Sequence, residues 1–378
     1  MTRCSAAPGR SLPPAQPGGG SVRPTRVNGV GVIDLDNGRF KVRVCPVRGM
    51  SILSATAGKT RVGWNSPAGE VVHPRDVDQD RGNGIGWLDG FTEMLVRCGL
   101  RNLGRPGWDQ VRSGGRTRRE WLTLHGKAAN LPAQQVRTTR GPGGVAVSGT
   151  VRERAGDELL ELRTTIALSR RGTAFEVTDD ITNRGPAPAE FQLLYHANFG
   201  PPLLGAGSQF LAPIECFAAM NPAAARHSSG FDRYCGPTPG FEEEVFMFRP
   251  RADAAGRTCA CLINPQGTAA VSVGFSVAEL PWLALWKQSG APAERFVTGL
   301  EPCTSFPNHR GVERALGRVP VLAPGETRRF TLTVQLHRGK VAVTRLRRRV
   351  ATIQGSTRPR LLSVDRFNAR GLLPLAGR

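Results

Sequence analysis

Residues 145–183 read VAVSGTVRERAGDELLELRTTIALSRRGTAFEVTDDITN. Three runs within it, VAVSGTVRE, LELRTTIAL and AFEVTDDITN, are β-branched or alternate apolar with polar residues. A turn signal, Arg154-Ala155-Gly156-Asp157, divides the first two. Neighbouring side chains on a strand point to opposite faces, so Phe175, Val177, Asp179 and Ile181 share one face. That face is mostly apolar, as a sheet packed on a second sheet requires. Outward from this stretch the same texture recurs in FKVRV (40–44), EFQLLYHANF (190–199), AAVSVGF (269–275) and FTLTVQL (330–336). Asn183-Arg184-Gly185-Pro186 and Ala323-Pro324-Gly325-Glu326 supply further turns. Amphipathic segments of ten to fifteen residues do not alternate with these runs, so a parallel α/β sheet is excluded. The pattern predicts an all-β chain folded as a large antiparallel β-sandwich over residues 27–340. The Pro/Gly-rich stretch 1–26 reads as a flexible leader, and the basic segment 341–378 as a disordered tail.

The chain has 378 residues, 39% of them hydrophobic, enough for a sizeable core. It lacks an apolar run of about 18 residues, and Pro and Gly interrupt its start before an apolar signal region could form. Eight cysteines scattered from Cys4 to Cys303 do not resemble a disulfide framework. These features predict a reduced, cytoplasmic protein that does not engage a membrane. The formal charge of +21 invites a nucleic-acid reading, but ten of those charges lie in Arg338–Arg378 and only five of the 51 basic residues are Lys. An Arg-, Ala-, Gly- and Pro-heavy composition follows from GC-rich coding, and no interleaved aromatic pattern accompanies the charge, which argues against nucleic acid as partner.

Several motifs fail on their mechanics. Asp76-Val77-Asp78-Gln79-Asp80 imitates a calcium loop but has Arg81 at position six and Trp87 at position twelve. Gly82, Gly84 and Gly86 lack the dinucleotide-binding spacing. Cys259 and Cys261 point the same way on a strand with no second zinc-ligand pair, so they read as core thiols. Glu242-Glu243-Glu244 reads as a solvated edge, and no G-x-S-x-G elbow occurs. What remains is three polar residues at the ends of apolar runs: His125 in Trp121–Gly126, His196 in Leu193–Gly200 and Glu301 in Thr298–Pro302. Any one alone could be a hydrogen-bonded core or turn residue. Together they carry more weight as a functional set, since a polar group in apolar β sequence must be paired or functional.

The segments Arg48-Gly49-Met50, Gly63–Pro67, Gly86–Phe91, Cys98–Gly104, Leu124–Ala133, Tyr195–Gly200, Trp286-Lys287 and Gly299–Pro302 together resemble the galactose mutarotase superfamily, in its aldose 1-epimerase-like branch. The resemblance implies the supersandwich fold, a broad groove for a sugar, and catalysis without a cofactor. It assigns Glu301 as the base that takes the anomeric hydroxyl proton and His196 as the acid that protonates the ring oxygen. His125 becomes a second hydrogen-bonding group near that oxygen. The resemblance also places Asn102, Asn130, Asn198, Lys287 and Arg48 as substrate-binding residues, with Trp286 able to stack on a sugar face. Lys127, Arg101 and Cys303-Thr304-Ser305 depart from the branch's pattern and bear on substrate identity. The expected partner is thus a free aldose or derivative. The competing readings are a non-catalytic carbohydrate-binding module using the same groove and, more remotely, nucleic-acid binding through the tail. A glycosidase would need a second carboxylate across the bond.

Overall fold

The computed structural model describes residues 20–113 and 116–371. Its two large sheets follow from the alternation just described. One runs, strand by strand, from Ser21–Val27 through Val30–Asp36, Lys41–Cys45, Ser51–Ala57, Leu95–Leu100, Gln192–Phe199, Phe296–Cys303, Trp282–Ser289, Glu244–Pro250 and Ile214–Ala219 to Arg360–Leu361, with Thr60–Val62 paired to Ser51–Ala57. The second runs from Gln209–Leu211 through Arg257–Ile263, Ala269–Ser276, Thr327–Arg338, Ala174–Asn183, Glu158–Ser169 and Gly144–Ala155 to Gln134–Gly141. Neighbours pair antiparallel except Arg360–Leu361, which adds in parallel to Ile214–Ala219. This is the expected all-β antiparallel sandwich.

Between the sheets lies the main core, where Phe175, Val177 and Ile181 meet Leu193, Tyr195, Leu283, Leu285 and Leu300. Asp179, on the same face as Phe175, finds a partner across that core. Its carboxylate receives Arg97 Nε and Nη2 from the opposite sheet and the Tyr195 hydroxyl at 2.8 Å. Arg97 and Asp179 are both fully buried, so each charge depends on the other.

The central strands Leu95–Leu100, Gln192–Phe199 and Phe296–Cys303 are buried along their whole length. One face of these strands joins the main core. The other carries Val96, Cys98, Leu194, Val297 and Cys303 into a second apolar cluster with Trp64, Trp87 and Phe91 from the covering loops. It is on this outer, loop-covered face that His196 and Glu301 lie.

Both predicted termini need correction. Ser21–Val27 is not leader but a strand in full register with Val30–Asp36. Residues 1–19 fall outside the described residues. The segment expected to be disordered from 341 onward begins as a fifteen-residue helix, Lys340–Gln354. Val343, Leu346 and Val350 face one side of it and pack on Cys259, Cys261, Ile263 and Ala270, while the arginines point outward. A second helix, Val364–Gly371, places Phe367 against Trp282 and Phe306. Residues 372–378 lie outside the described residues.

The inter-sheet ion pair yields a stability prediction. Asp179→Ala leaves a buried guanidinium without a counter-charge and should cost about 3–5 kcal/mol in urea unfolding. Replacing Arg97 and Asp179 together by Met and Leu should recover most of that loss. Equal losses in the single and double variants would show that the pair does not act as a unit.

Candidate functional site

Strand register brings the acid/base set together. Leu194 pairs with Cys303 and Ala197 with Leu300, which sets His196 opposite Glu301. His196 Nε2 lies 3.2 Å from Glu301 Oε1, with side chains 6% and 3% exposed. Glu301 Oε1 makes no hydrogen bond despite its burial, so the contact is close but unaligned. Gly299, two residues before Glu301 on the same face, makes room for it. A Cβ there would lie 2.2 Å from Glu301 Oε1 and 3.1 Å from His196 Cε1.

His125 arrives from a loop rather than a strand. Its backbone is left-handed, with φ of 59°, a conformation uncommon for a residue with a side chain. Hydrogen bonds of the preceding residue and of its own backbone fix it there: Leu124 N donates to Gly84 O, His125 N donates to Gly104 O, and His125 O accepts from Gly99 N. Gly126 follows with φ of 69°, where a Cβ would meet Asn102 O at 2.1 Å. This bend turns the His125 ring edge-on to His196, with centroids 5.6 Å apart, while Nδ1 sits 2.8 Å from Leu103 O. A carbonyl only accepts, so Nδ1 carries the proton and Nε2 is bare.

Aromatic rings enclose the three. His196 has Phe91 at 5.1 Å, Trp286 at 5.4 Å and Trp87 at 6.0 Å, and His125 packs on Trp87 at 4.5 Å. Leu88, Leu124, His125 and Trp286 are partly exposed at the rim. The dyad thus lies among close-packed aromatic side chains. The described cavity of about 610 Å³, lined by Trp282, Arg318 and Phe330 among others, does not include the dyad.

Burial sets the protonation states. It pushes His196 down to about 3, with His125 adding to the effect, and His125 down to about 4. It lifts Glu301 well above the usual carboxylate range, and the nearby Glu243 carboxylate lifts it further. Burial thus favours the neutral form of the imidazole and of the carboxyl alike.

Of the remaining expected site residues, Arg48, Asn102 and Asn198 are engaged by the protein itself, whereas Asn130, half-buried, uses Oδ1 to accept from Arg48 and leaves Nδ2 without a protein partner. Arg48 is fully buried: Nε bonds Glu93 Oε1 at 2.5 Å, Nη1 bonds Asn130 Oδ1 at 2.7 Å and Nη2 bonds Gly90 O at 2.8 Å. Asn102 Nδ2 donates to Thr123 O at 2.7 Å, bracing the His125 loop. Asn198 Nδ2 donates to Glu93 O and His196 O, each at 3.0 Å. Lys287 lies on the wrong face, since it alternates with Trp286. It points into the inter-sheet side, where Nζ meets Glu244 Oε2 at 2.9 Å and Tyr234. Its assignment to the groove is corrected on that ground. Of the edge at 242–244, Glu242 and Glu243 are exposed as expected, Glu243 Oε2 accepting from Trp286 Nε1 at 2.9 Å, but Glu244 is buried against Lys287 and is corrected on that ground.

Sequence reading did not single out Glu93, and it gave no part in the site to Gly299, Glu243, Trp87 or Phe91, although all four stand in quoted segments. Among the described residues, no group of three or more His, Cys, Asp or Glu is arranged to hold a metal ion.

Two outcomes follow. Gly299→Ala should push the Glu301 carboxyl away from His196 and overpack the site, costing about 1–3 kcal/mol in urea unfolding. An unchanged midpoint would mean that the carboxyl has free space. The pH dependence has a definite sign. An imidazole whose folded value is depressed to about 4 stabilises the fold above its unfolded value near 6.5, and that stability is lost as pH falls from 6.5 toward 4. His125→Asn, which tolerates the left-handed backbone, should flatten the slope of unfolding free energy between pH 6 and 5 by up to about 1.4 kcal/mol per pH unit. An unaltered slope would mean that His125 is charged in the folded protein.

Comparison with known proteins agrees with the fold. The chain is similar to a candidate aldose 1-epimerase from Klebsiella pneumoniae, with 33% identity over 93% of this chain and 88% of that one and a TM-score of 0.82. It shares its fold with a galactose mutarotase-like protein from Clostridium acetobutylicum (14% identity, 85% of this chain and 99% of that one, TM-score 0.62). It shares it also with a galactose 1-epimerase from Lactobacillus acidophilus (14% identity, 84% of this chain and 100% of that one, TM-score 0.57). No curated protein sequence matches. A family model described as a domain of unknown function, DUF4432, matches residues 27–336. With the sandwich and this match in hand, the chain belongs to the DUF4432 family, within the galactose mutarotase-like superfamily.

Proposed function

We propose that this protein is an aldose 1-epimerase-like isomerase that interconverts the anomers of a free aldose or aldose derivative by acid/base ring opening and closure, without a cofactor. One observation carries the reading: a buried carboxyl whose Oε1 has no hydrogen-bond partner lies 3.2 Å from an imidazole nitrogen. A buried carboxyl set by strand register beside an imidazole, both with displaced pKa values, is the kind of acid/base pair that proton transfer at neutral pH uses.

The proton inventory suits the chemistry. Moving one proton from Glu301 to His196 Nε2 turns the neutral pair into carboxylate and imidazolium. Glu301 then takes the anomeric hydroxyl proton while His196 gives its Nε2 proton to the ring oxygen. The bond between the anomeric carbon and the ring oxygen breaks, and the carbonyl forms. Both protein groups are then back in their neutral state beside the open-chain aldehyde. Rotation about the adjacent carbon–carbon bond and the reverse transfers close the ring as the other anomer. His125, with Nε2 bare, accepts a hydrogen bond from a sugar hydroxyl near the ring oxygen. Trp286 at the rim offers its face to the sugar. Among the described residues, no helix is long and apolar enough to cross a membrane.

Exchange NMR on a panel of free aldohexoses tests the reading. The wild type should speed α/β exchange above the buffer rate. Glu301→Gln and His196→Asn should each lower that rate by about 100-fold or more while leaving sugar line broadening in place. Broadening without faster exchange in the wild type would replace the enzyme with a carbohydrate-binding module on the same site.

A further inference from the structure

The side chain behind His196 decides which of its nitrogens can work. His196 Nδ1 lies 2.6 Å from Asn198 Oδ1. The orientation of that amide is fixed by its other end: Nδ2 reaches two carbonyl oxygens, Glu93 O and His196 O, at 3.0 Å each. Turning the amide over would set an oxygen against both carbonyls, a repulsive arrangement that also leaves two acceptors unmatched. The oxygen of Asn198 therefore faces His196, and an amide oxygen only accepts. The neutral imidazole of His196 therefore carries its proton on Nδ1 and keeps Nε2, the nitrogen beside Glu301, bare.

We infer that Asn198 is a positioning residue that locks His196 in the Nδ1–H tautomer, so that Nε2 is the nitrogen that exchanges a proton with Glu301 and then with the sugar ring oxygen. The lock extends backward. Glu93, whose carbonyl anchors Asn198, is held through its carboxylate by Arg48 Nε and by the backbone N–H of Thr92 at 2.9 Å, with Trp64 Nε1 donating to the same carbonyl at 3.0 Å. Backbone pairing of Asn198 N to Met94 O at 2.6 Å fixes the strand from the other side. Asn198 is fully buried and its amide is fully used, so it has no atom left for the sugar. Without the lock, an imidazole could rest as the Nε2–H form, which cannot receive the Glu301 proton and so leaves no carboxylate to take the anomeric hydroxyl proton.

This role in turnover rests on the proposed anomerisation, but its spectroscopic test does not. The chain has six histidines. In protein with ¹⁵N-labelled histidine, the His196 signals are assigned by their loss in His196→Asn, and a long-range proton–nitrogen spectrum distinguishes protonated from bare ring nitrogens. Wild type at pH 7 should show Nδ1 protonated and Nε2 bare. A protonated Nε2 there would overturn the inference, whether or not any sugar is turned over. In Asn198→Ala, Nε2–H should appear and kcat for anomer exchange should fall by about tenfold or more with KM little changed. Asn198→Asp keeps an acceptor for Nδ1–H and should retain that proton on Nδ1. An Asn198→Ala protein that keeps the pure Nδ1–H spectrum would equally overturn the inference, and if that variant does not fold, the wild-type spectrum alone decides.

Discussion

Everything at this site hangs on one buried ion pair, Arg48 with Glu93. Both side chains are fully withdrawn from water, which is costly unless every remaining polar atom is matched. Here much of the matching is done by separate loops. Gly90 and Asn130 take hydrogen bonds from the guanidinium, and Thr92 and Trp64 donate to the two ends of Glu93. The pair thus ties the loops around residues 48, 64, 90 and 130 to the central strands. Gly90 must lack a side chain because a Cβ would sit 2.8 Å from Arg48 Nη1. The knot gains importance from where it ends: its last link is the Asn198 amide behind His196. Rigid support of this kind lets a short-range proton transfer depend on a distance held by packed, buried groups.

The aromatic wall acts in the same direction by another route. Trp87, Phe91 and Trp286 surround His196 with surface that cannot hydrogen-bond, apart from indole edges. That surface drives the carboxyl toward its neutral form and the imidazoles toward theirs. Glu243, tied to the indole N–H of Trp286, reinforces the effect on Glu301 from outside.

The sandwich was legible because alternation is a local signal: Phe175, Val177, Asp179 and Ile181 proclaim one buried face regardless of what packs on it. The acid/base set was legible for a similar reason, since His196 and Glu301 are polar interruptions in otherwise apolar runs. The supporting side chains were not. Arg48, Asn102, Asn130 and Asn198 have the chemistry of sugar ligands, and only their three-dimensional neighbours reveal that their hydrogen bonds are largely spent inside the protein. Lys287 was readable in principle, because its neighbour Trp286 takes the outer face and alternation sends Lys287 inward. Helix Lys340–Gln354 was hidden by its composition: its apolar positions 343, 346 and 350 keep helical spacing, but the arginines between them dominate any average.

That helix also redraws the boundary of the folding unit. The family match stops at residue 336, yet the outer face of the eight-stranded sheet is covered at Cys259, Cys261, Ile263 and Ala270 by side chains that come afterwards. A recombinant fragment cut at the family's edge would present two neighbouring thiols, 3.8 Å apart, and a strip of aliphatic surface to the solvent. Such a surface invites oxidation and self-association. Poor behaviour of such a fragment would then report a missing cover rather than a defective sandwich.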